Sequence, residues 1–205
     1  LESAFAYKNF SGDISLWDTS NASNFSGMFE GAKLTNVDLS NIKFGENADL
    51  GRIFSYSEFD IETSNSIANW DTSNVKSLFY AFASSNFNGN ISNWNVSNVT
   101  NMAGMFFNAL NFNQPIGDWD VSKVISMESM FNSSHFNQDI SNWNVSNVKI
   151  MIEMFANSKF NQDISNWNVS NECNILSIFK NSKYSHGIPE NWDYTSCIKN
   201  HLGLK

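Results

Sequence analysis

Residues 136–160 read FNQDISNWNVSNVKIMIEMFANSKF, and residues 112–136 read FNQPIGDWDVSKVISMESMFNSSHF. Both stretches place phenylalanine, isoleucine, tryptophan, valine and methionine at the same offsets. The last six tryptophans of the chain are 24, 25, 24, 24 and 25 residues apart. A fixed period of this length indicates a repeat architecture. Copies of the unit begin at Phe10, Leu34, Phe59, Phe87, Phe112, Phe136, Phe160 and Tyr184.

Each copy, called a coil below, has about seven large apolar side chains and is too small to enclose them alone. Stacked coils can bury them together, which predicts a solenoid with one continuous core. The three-residue spacing of Val148, Met151 and Met154 predicts a short helix or 3₁₀ turn with one buried side. The short stretch around Ile140 to Trp143, bounded by Asn and Ser, predicts one brief strand per coil, paired in parallel with the next coil.

The polar residues of the repeat fit coil corners. An asparagine precedes most tryptophans, and a Ser-Asn pair follows them, as in Ser146-Asn147. Such side chains can bind unused backbone N–H groups or form ladders between coils, so we expect a structural role. One repeat position is acidic in several coils, and calcium binding between coils is one interpretation. Asn90 and Pro115 interrupt that row, which favours ordinary surface acids at Asp13, Asp38, Asp139 and Asp163.

Composition, charge and the lack of site motifs argue against several classes of function. The chain is 15% aromatic and 16% charged, which excludes disorder. Its net charge of −8 and the lack of a basic stripe argue against a nucleic-acid partner. The three histidines sit at unrelated repeat positions, and we find no metal-ligand spacing, phosphate loop or nucleophile motif. We therefore expect no catalytic residues, no metal site and no cofactor.

The two cysteines occupy similar positions in consecutive coils. Cys173 lies six residues after its tryptophan and Cys197 five residues after the next one. Neighbouring coils bring such positions within the range of a disulfide, which would stabilise the C-terminal end. The alternative is two reduced, partly buried thiols.

The string FNQDISNWNVSNV, followed by methionines at intervals of three and by phenylalanine, resembles the repeat of the BspA-like leucine-rich-repeat surface proteins. That repeat class is widespread in bacterial surface proteins and abundant in mycoplasma lipoproteins. The resemblance is strongest over residues 87–179 and weakens over 34–67. It implies attachment to, or binding of, host or partner proteins at a cell surface, and it implies no catalytic residues.

We therefore predict an α/β solenoid, a leucine-rich-repeat-like right-handed coil with short parallel strands and short helical or 3₁₀ turns. Residues 1–205 would form a single repeat domain. It would comprise a partial N-terminal coil (1–9), about seven complete coils from Phe10 to Lys183, and a divergent C-terminal cap (184–205). Because the chain begins inside a repeat, we expect it to be a fragment of a longer protein.

The predicted function is a non-catalytic scaffold on the outside of a bacterial cell, held there as a lipoprotein or by a wall anchor that lies outside this chain. It would bind a protein or glycan on a host or neighbouring cell. The alternatives are a structural spacer and a glycan-binding module. A row of identical polar side chains beside each predicted strand is the candidate binding face, comprising Asn113, Gln114, Asn137, Gln138, Asn161 and Gln162.

Overall fold

The computed structural model describes residues 1–192, in which the chain returns about every 24–28 residues to lie beside its previous course. Regular elements are few and short. The strands are β1 (Asn9–Phe10), β2 (Lys33–Leu34), β3 (Ala48–Asp49), β4 (Glu58–Phe59) and β5 (Val75–Ser77), and the helix is α1 (Ile61–Ser66). Most of the backbone hydrogen bonds therefore lie outside regular elements.

Two lines of parallel pairing connect the coils. Strands β1, β2 and β4 form one sheet in that order, and they lie where successive copies of the repeat begin. Strands β3 and β5 form the other line. Single-residue parallel pairs extend it along the chain, joining Asn24 to Asp49, Ser77 to Asn101, Asn101 to Ser126, Ser126 to Ile150, and Ile150 to Asn174.

The strand expected at residues 140–143 is a β-turn instead. The backbone N–H of Trp143 donates to the carbonyl oxygen of Ile140 at 3.1 Å. One residue earlier, the carboxylate of Asp139 accepts the N–H of Ser141 at 2.9 Å, which bends the chain at this point. The parallel pairing lies about seven residues further on, at Ile150.

The methionine-rich segment, for which a helical or 3₁₀ turn was expected, is a run of β-turns. We call it the turn segment; it is 127–134 in one coil and 151–158 in the next. The N–H groups of Met130, Asn132 and Ser134 close turns within the coil, whereas those of Ser129, Phe131 and Ser133 donate to the next coil at 2.8–2.9 Å.

Positive φ angles explain why this segment is not helical. Ser129 and Ser133 have φ values of 52° and 59°, in the left-handed region, as the third residue of a type II turn requires. A right-handed helix cannot contain such residues. A run of β-turns also places every third side chain on one side. The pattern of buried residues alone therefore does not distinguish such a run from a helix.

A continuous apolar core runs through all coils of residues 1–192. Phenylalanines of successive turn segments stack with nearly parallel rings, with centroids 5.7 Å apart for Phe106 and Phe131 and 5.8 Å for Phe131 and Phe155. A second column contains Phe112, Phe136 and Phe160, whose centroids are 6.1 and 6.3 Å apart. Each ring covers the face of the ring in the next coil, so the rings are buried between coils. A single coil could not bury them.

The tryptophans occupy one position in successive coils. Trp94, Trp119, Trp143 and Trp167 are all buried, and each indole N–H donates to the isoleucine carbonyl of the preceding coil at 3.0–3.2 Å. Trp70 does the same to the Leu39 carbonyl at 2.8 Å. The indole therefore buries its rings in the core and pairs its single polar group between coils.

The longer coil that begins at Phe59 contains the helix. The side chain of Asp60 caps α1 by accepting the N–H of Thr63 at 2.9 Å. Thr63 and Ser66 then accept the backbone N–H groups of Val37 and Leu39 from the preceding coil. The extra residues of this coil form a helical turn that still pairs with its neighbour.

The first residues of the expected cap continue the stack. Tyr184 stacks on Phe160 with centroids 6.3 Å apart, and Trp192 stacks on Trp167 at 6.4 Å. The indole N–H of Trp192 donates to the carbonyl of Trp167, three residues beyond the isoleucine that the register of the other coils would give. Divergence therefore begins as a shift of register within the stack.

Aspartates at the turns are expected to make the folded protein less stable in acid. Hydrogen bonds from the serine two residues on hold their pKa values below the ordinary range. The serine backbone N–H is the larger cause at Asp13, Asp139 and Asp163, and the serine side chain at Asp18, Asp38, Asp71 and Asp120. Groups with a lowered folded pKa add stability above the unfolded pKa, about 3.9, and lose it as the pH falls through the folded pKa.

We therefore expect the urea midpoint to fall steeply below about pH 4. Replacing these seven aspartates with asparagine should flatten that dependence without unfolding the protein. Asparagine keeps the acceptor oxygen, as Asn90, Asn95 and Asn144 do at equivalent turns. An undiminished fall in acid for the substituted protein would contradict this assignment.

Candidate functional site

The asparagines of the predicted binding row form a ladder between coils. The side-chain oxygens of Asn113 and Asn137 each accept the backbone N–H of the asparagine in the next coil at 2.8 Å. Asn161 accepts the N–H of Ser185 in the same way. Gln114 and Gln162 donate to backbone carbonyls of the preceding coil at 3.0 and 3.1 Å. The repetition of this row therefore has a structural reason. Ligand binding by these residues, and by the partly exposed Gln138, stays a prediction.

The predicted cysteine pair is described only in part. Cys173 is buried in the core, and Cys197 lies outside the described residues. Within residues 1–192, no three histidine, cysteine or acidic side chains converge where a metal ion could bind. The same part of the chain contains no helix of the length and hydropathy that would cross a membrane.

The outer side of the turn segments carries a cluster of aromatic side chains. We call Arg52, Tyr56, Phe79, Tyr80 and Phe107 the aromatic patch. The rings of Phe79 and Tyr80 meet edge to face at 4.7 Å, and Phe107 lies 5.9 Å from Tyr80. Tyr56 is 59% exposed. Three consecutive coils thus contribute partly or largely exposed rings, and Tyr80 and Phe107 stand where the coil from Phe112 has serine and asparagine.

Arg52 completes the patch. Its guanidinium carbon lies 5.7 Å from the centre of the Phe79 ring, which is a cation–π distance. Burial, the largest cause, and the Glu128 carboxylate raise the pKa of Tyr80 above its ordinary value, so its hydroxyl remains a neutral donor at physiological pH.

A trough of about 400 Å³ runs beside the patch. Gly51, Arg52 and Phe79 line the trough. A Cβ atom at Gly51 would lie 3.0 Å from an Asp49 carboxylate oxygen and 3.7 Å from the Ser26 hydroxyl. Its other lining residues come from four consecutive coils and are Ser26, Asp49, Ser77 and Asn101. One aromatic ring, Phe79, beside a few convergent polar groups is compatible with a ligand site.

Gly104 allows Tyr80 to lie against the backbone of the next coil. A Cβ atom at Gly104 would meet the Tyr80 ring at 2.4 Å, and the residue has a φ of 62°. We expect Gly104→Ala to lower the free energy of unfolding by about 1–3 kcal/mol through backbone strain and displacement of the ring. Urea denaturation measures the change.

Ser129, the equivalent residue one coil later, has a φ of 52° with a side chain present, so Ser129→Ala is the matched control and should change stability little. Adding Tyr80→Ala to Gly104→Ala should recover part of the loss. Equal stability of Gly104→Ala and the unmodified protein would contradict the described packing.

The repeat pattern does not predict the patch, because the patch residues lie outside the offsets that the coils share. The patch residues stand where the repeat varies: Tyr80 corresponds to Ser129, Phe107 to Asn132, and Tyr56 to Ser133. The available signal was the presence of large side chains at these variable positions, as also at the exposed Tyr7, which corresponds to Tyr56.

Comparison with protein families matches this chain, in three overlapping segments, to a family described as "Mycoplasma protein of unknown function, DUF285". The matched segments are residues 1–66, 52–157 and 118–202. The chain belongs to this family. This match supports the assignment of the chain to a family of repeat-containing surface proteins, which the sequence pattern also indicates. No curated protein and no solved structure matches the chain.

Proposed function

We propose that this DUF285 chain is a non-catalytic binding scaffold, displayed on a bacterial cell surface, that attaches the cell to a partner protein or glycan. We also propose that its stacked coils are a right-handed leucine-rich-repeat-like solenoid of the BspA-like kind, in which β-turns replace the helical side. The observation that carries the functional proposal is the aromatic patch.

The rest of the repeat uses its polar groups internally. The asparagine ladder, the indole N–H groups and the turn aspartates all pair with backbone groups of the same or a neighbouring coil. Exposed tyrosine and arginine beside aromatic rings are enriched where proteins bind partners. The patch is therefore a part of the surface that internal pairing does not explain.

A structural spacer is the competing function, since a regular stack can also hold another domain away from a membrane. The two proposals differ in one result. A scaffold that adheres binds saturably to cultured animal cells or immobilised matrix proteins as an isolated chain, whereas a spacer does not.

The test compares the unmodified protein with a triple variant, Tyr56→Ser, Tyr80→Ser and Phe107→Asn. These residues are those of the coil from Phe112 at the same positions, so the turns should be kept. Substitution of exposed His135 by asparagine is the control. We expect saturable binding that the triple variant loses and the control keeps. Binding that does not saturate would favour the spacer, and full binding by the triple variant would contradict the role of the patch.

A further inference from the structure

We propose that the trough beside the aromatic patch binds an acidic sugar, a pyranose that carries a carboxylate. This inference rests on the proposed binding function and names its ligand class. Three features of the trough carry it: one unpaired arginine, an aromatic wall, and a line of polar side chains that the turns hold in place.

Arg52 is the only arginine in a chain of net charge −8. Within residues 1–192 the ion pair that forms is Lys149 with Glu172, and no carboxylate lies within ion-pair distance of Arg52. The Arg52 side chain is exposed beside the Phe79 ring. A guanidinium presents a planar fork of donors that matches a carboxylate with two parallel hydrogen bonds. Arg52 is therefore placed to bind a carboxylate from a ligand.

The rings next to Arg52 provide an apolar wall. Phe79 lines the trough, and Tyr80 lies against it edge to face. A pyranose has one face composed mainly of C–H groups, which packs on an aromatic ring in the same manner as other apolar surfaces. Its carboxylate can then point toward the guanidinium while its hydroxyl groups remain at the edge of the ring.

The polar side chains of the trough are held by the turns that they cap. One oxygen of Asp49 accepts the N–H of Gly51 at 2.8 Å, and the side-chain oxygen of Asn101 accepts the N–H of Ala103 at 3.0 Å. In the part of the chain that the structure describes, the second oxygen of Asp49 and the amide nitrogen of Asn101 have no hydrogen-bond partner. A fixed acceptor and a fixed donor on one line suit the hydroxyl groups of a sugar.

Size and charge favour a sugar unit over larger ligands. A stable protein interface buries about 800 Å² and 20–30 residues on each partner, which is far more than this trough. A long polyanion would be repelled by the net charge of −8, whereas a single carboxylate needs only Arg52. The acidic sugar is either a sialic acid or a uronic acid at the end of a glycan.

The experiment measures binding of sialyllactose, glucuronic acid disaccharides and lactose by saturation-transfer NMR and calorimetry. Acidic sugars should bind and neutral lactose should not. The source of the carboxylate is identified by which of the two acidic ligands binds more tightly. Arg52→Gln should weaken binding by at least about tenfold, because a charge-assisted bidentate pair is lost. Phe79→Ser should weaken it as well.

Lys159→Gln is the matched control, because it removes one exposed positive charge outside the trough. It should leave binding unchanged. Equal losses for Arg52→Gln and Lys159→Gln, or equal binding of lactose, would overturn the proposal. Patch-dependent binding to cells without binding of either acidic sugar would also overturn it, while the proposed scaffold function would stand.

Discussion

Deletion of residues 148–159, half of the coil that begins at Phe136, is expected to abolish the folded state at 25 °C. The deletion removes Val148, Met151, Met154 and Phe155, all of which are fully buried. Truncation of one such side chain costs about 2–5 kcal/mol, so loss of four costs about 8–20 kcal/mol, which equals or exceeds the roughly 5–15 kcal/mol that stabilises a domain. Loss of a cooperative urea transition and of the near-ultraviolet circular dichroism signal would show this result.

Deletion of the whole coil, residues 136–159, is the control. It joins His135 to Phe160, which brings Trp167 and Phe179 to the positions of Trp143 and Phe155. Stability of stacked repeats is approximately a sum over coils and their interfaces, so this larger deletion should still fold. Its denaturant slope should be smaller because less surface is exposed on unfolding. Unfolding by the full-coil deletion, or folding by the half-coil deletion, would contradict the stacked arrangement.

Trp143→Ala should lower the free energy of unfolding by about 3–5 kcal/mol. The side chain is buried between coils and its ring stacks on Trp167 with centroids 6.2 Å apart. Its indole N–H also donates to the Ile116 carbonyl at 3.0 Å. The substitution therefore creates a cavity and removes a bond between coils. Urea denaturation followed by tyrosine absorbance or circular dichroism measures the loss.

Trp143→Phe separates these two contributions. Phenylalanine keeps a ring in the column but cannot donate to Ile116, so we expect a smaller loss, about 1–3 kcal/mol. Asn142→Ala, at an exposed neighbouring residue, should change stability by less than about 0.5 kcal/mol. A Trp143→Ala protein as stable as the Asn142→Ala protein would show that this tryptophan does not contribute to a shared interior.

The buried positions could be predicted from the sequence because equivalent residues of every coil pack in the same environment. Phe131 and Phe155 face each other across one interface, so both must be large and flat. The same residue type therefore recurs at a fixed interval in the sequence. The ladder at Asn113 and Asn137 repeats for the same reason. Its repetition has a structural reason, because it satisfies backbone N–H groups, and binding of a ligand by this row stays a prediction.

Local conformation could not be predicted in the same way. Burial every third residue fits a helix and a run of β-turns equally, and the positive φ angles at Ser129 and Ser133 leave no trace in composition, since Glu153 and Tyr80 occupy equivalent positions. The aromatic patch could not be predicted from the repeat either, because periodicity identifies only the residues that coils have in common. Arg52 and Tyr80 are departures from the repeat, and only the stacking of three coils brings them together.

The central claim is that backbone N–H groups of one coil bond to carbonyl oxygens of the next. Scalar coupling across hydrogen bonds, measured by NMR on deuterated protein, tests it directly. We expect couplings from the amide nitrogen of Phe106 to the carbonyl carbon of Met130, and from Phe131 to Met154, whose N–O distances are 3.0 and 2.9 Å. Couplings from these amides to carbonyls three or four residues earlier would instead indicate local helices and contradict the stack of coils.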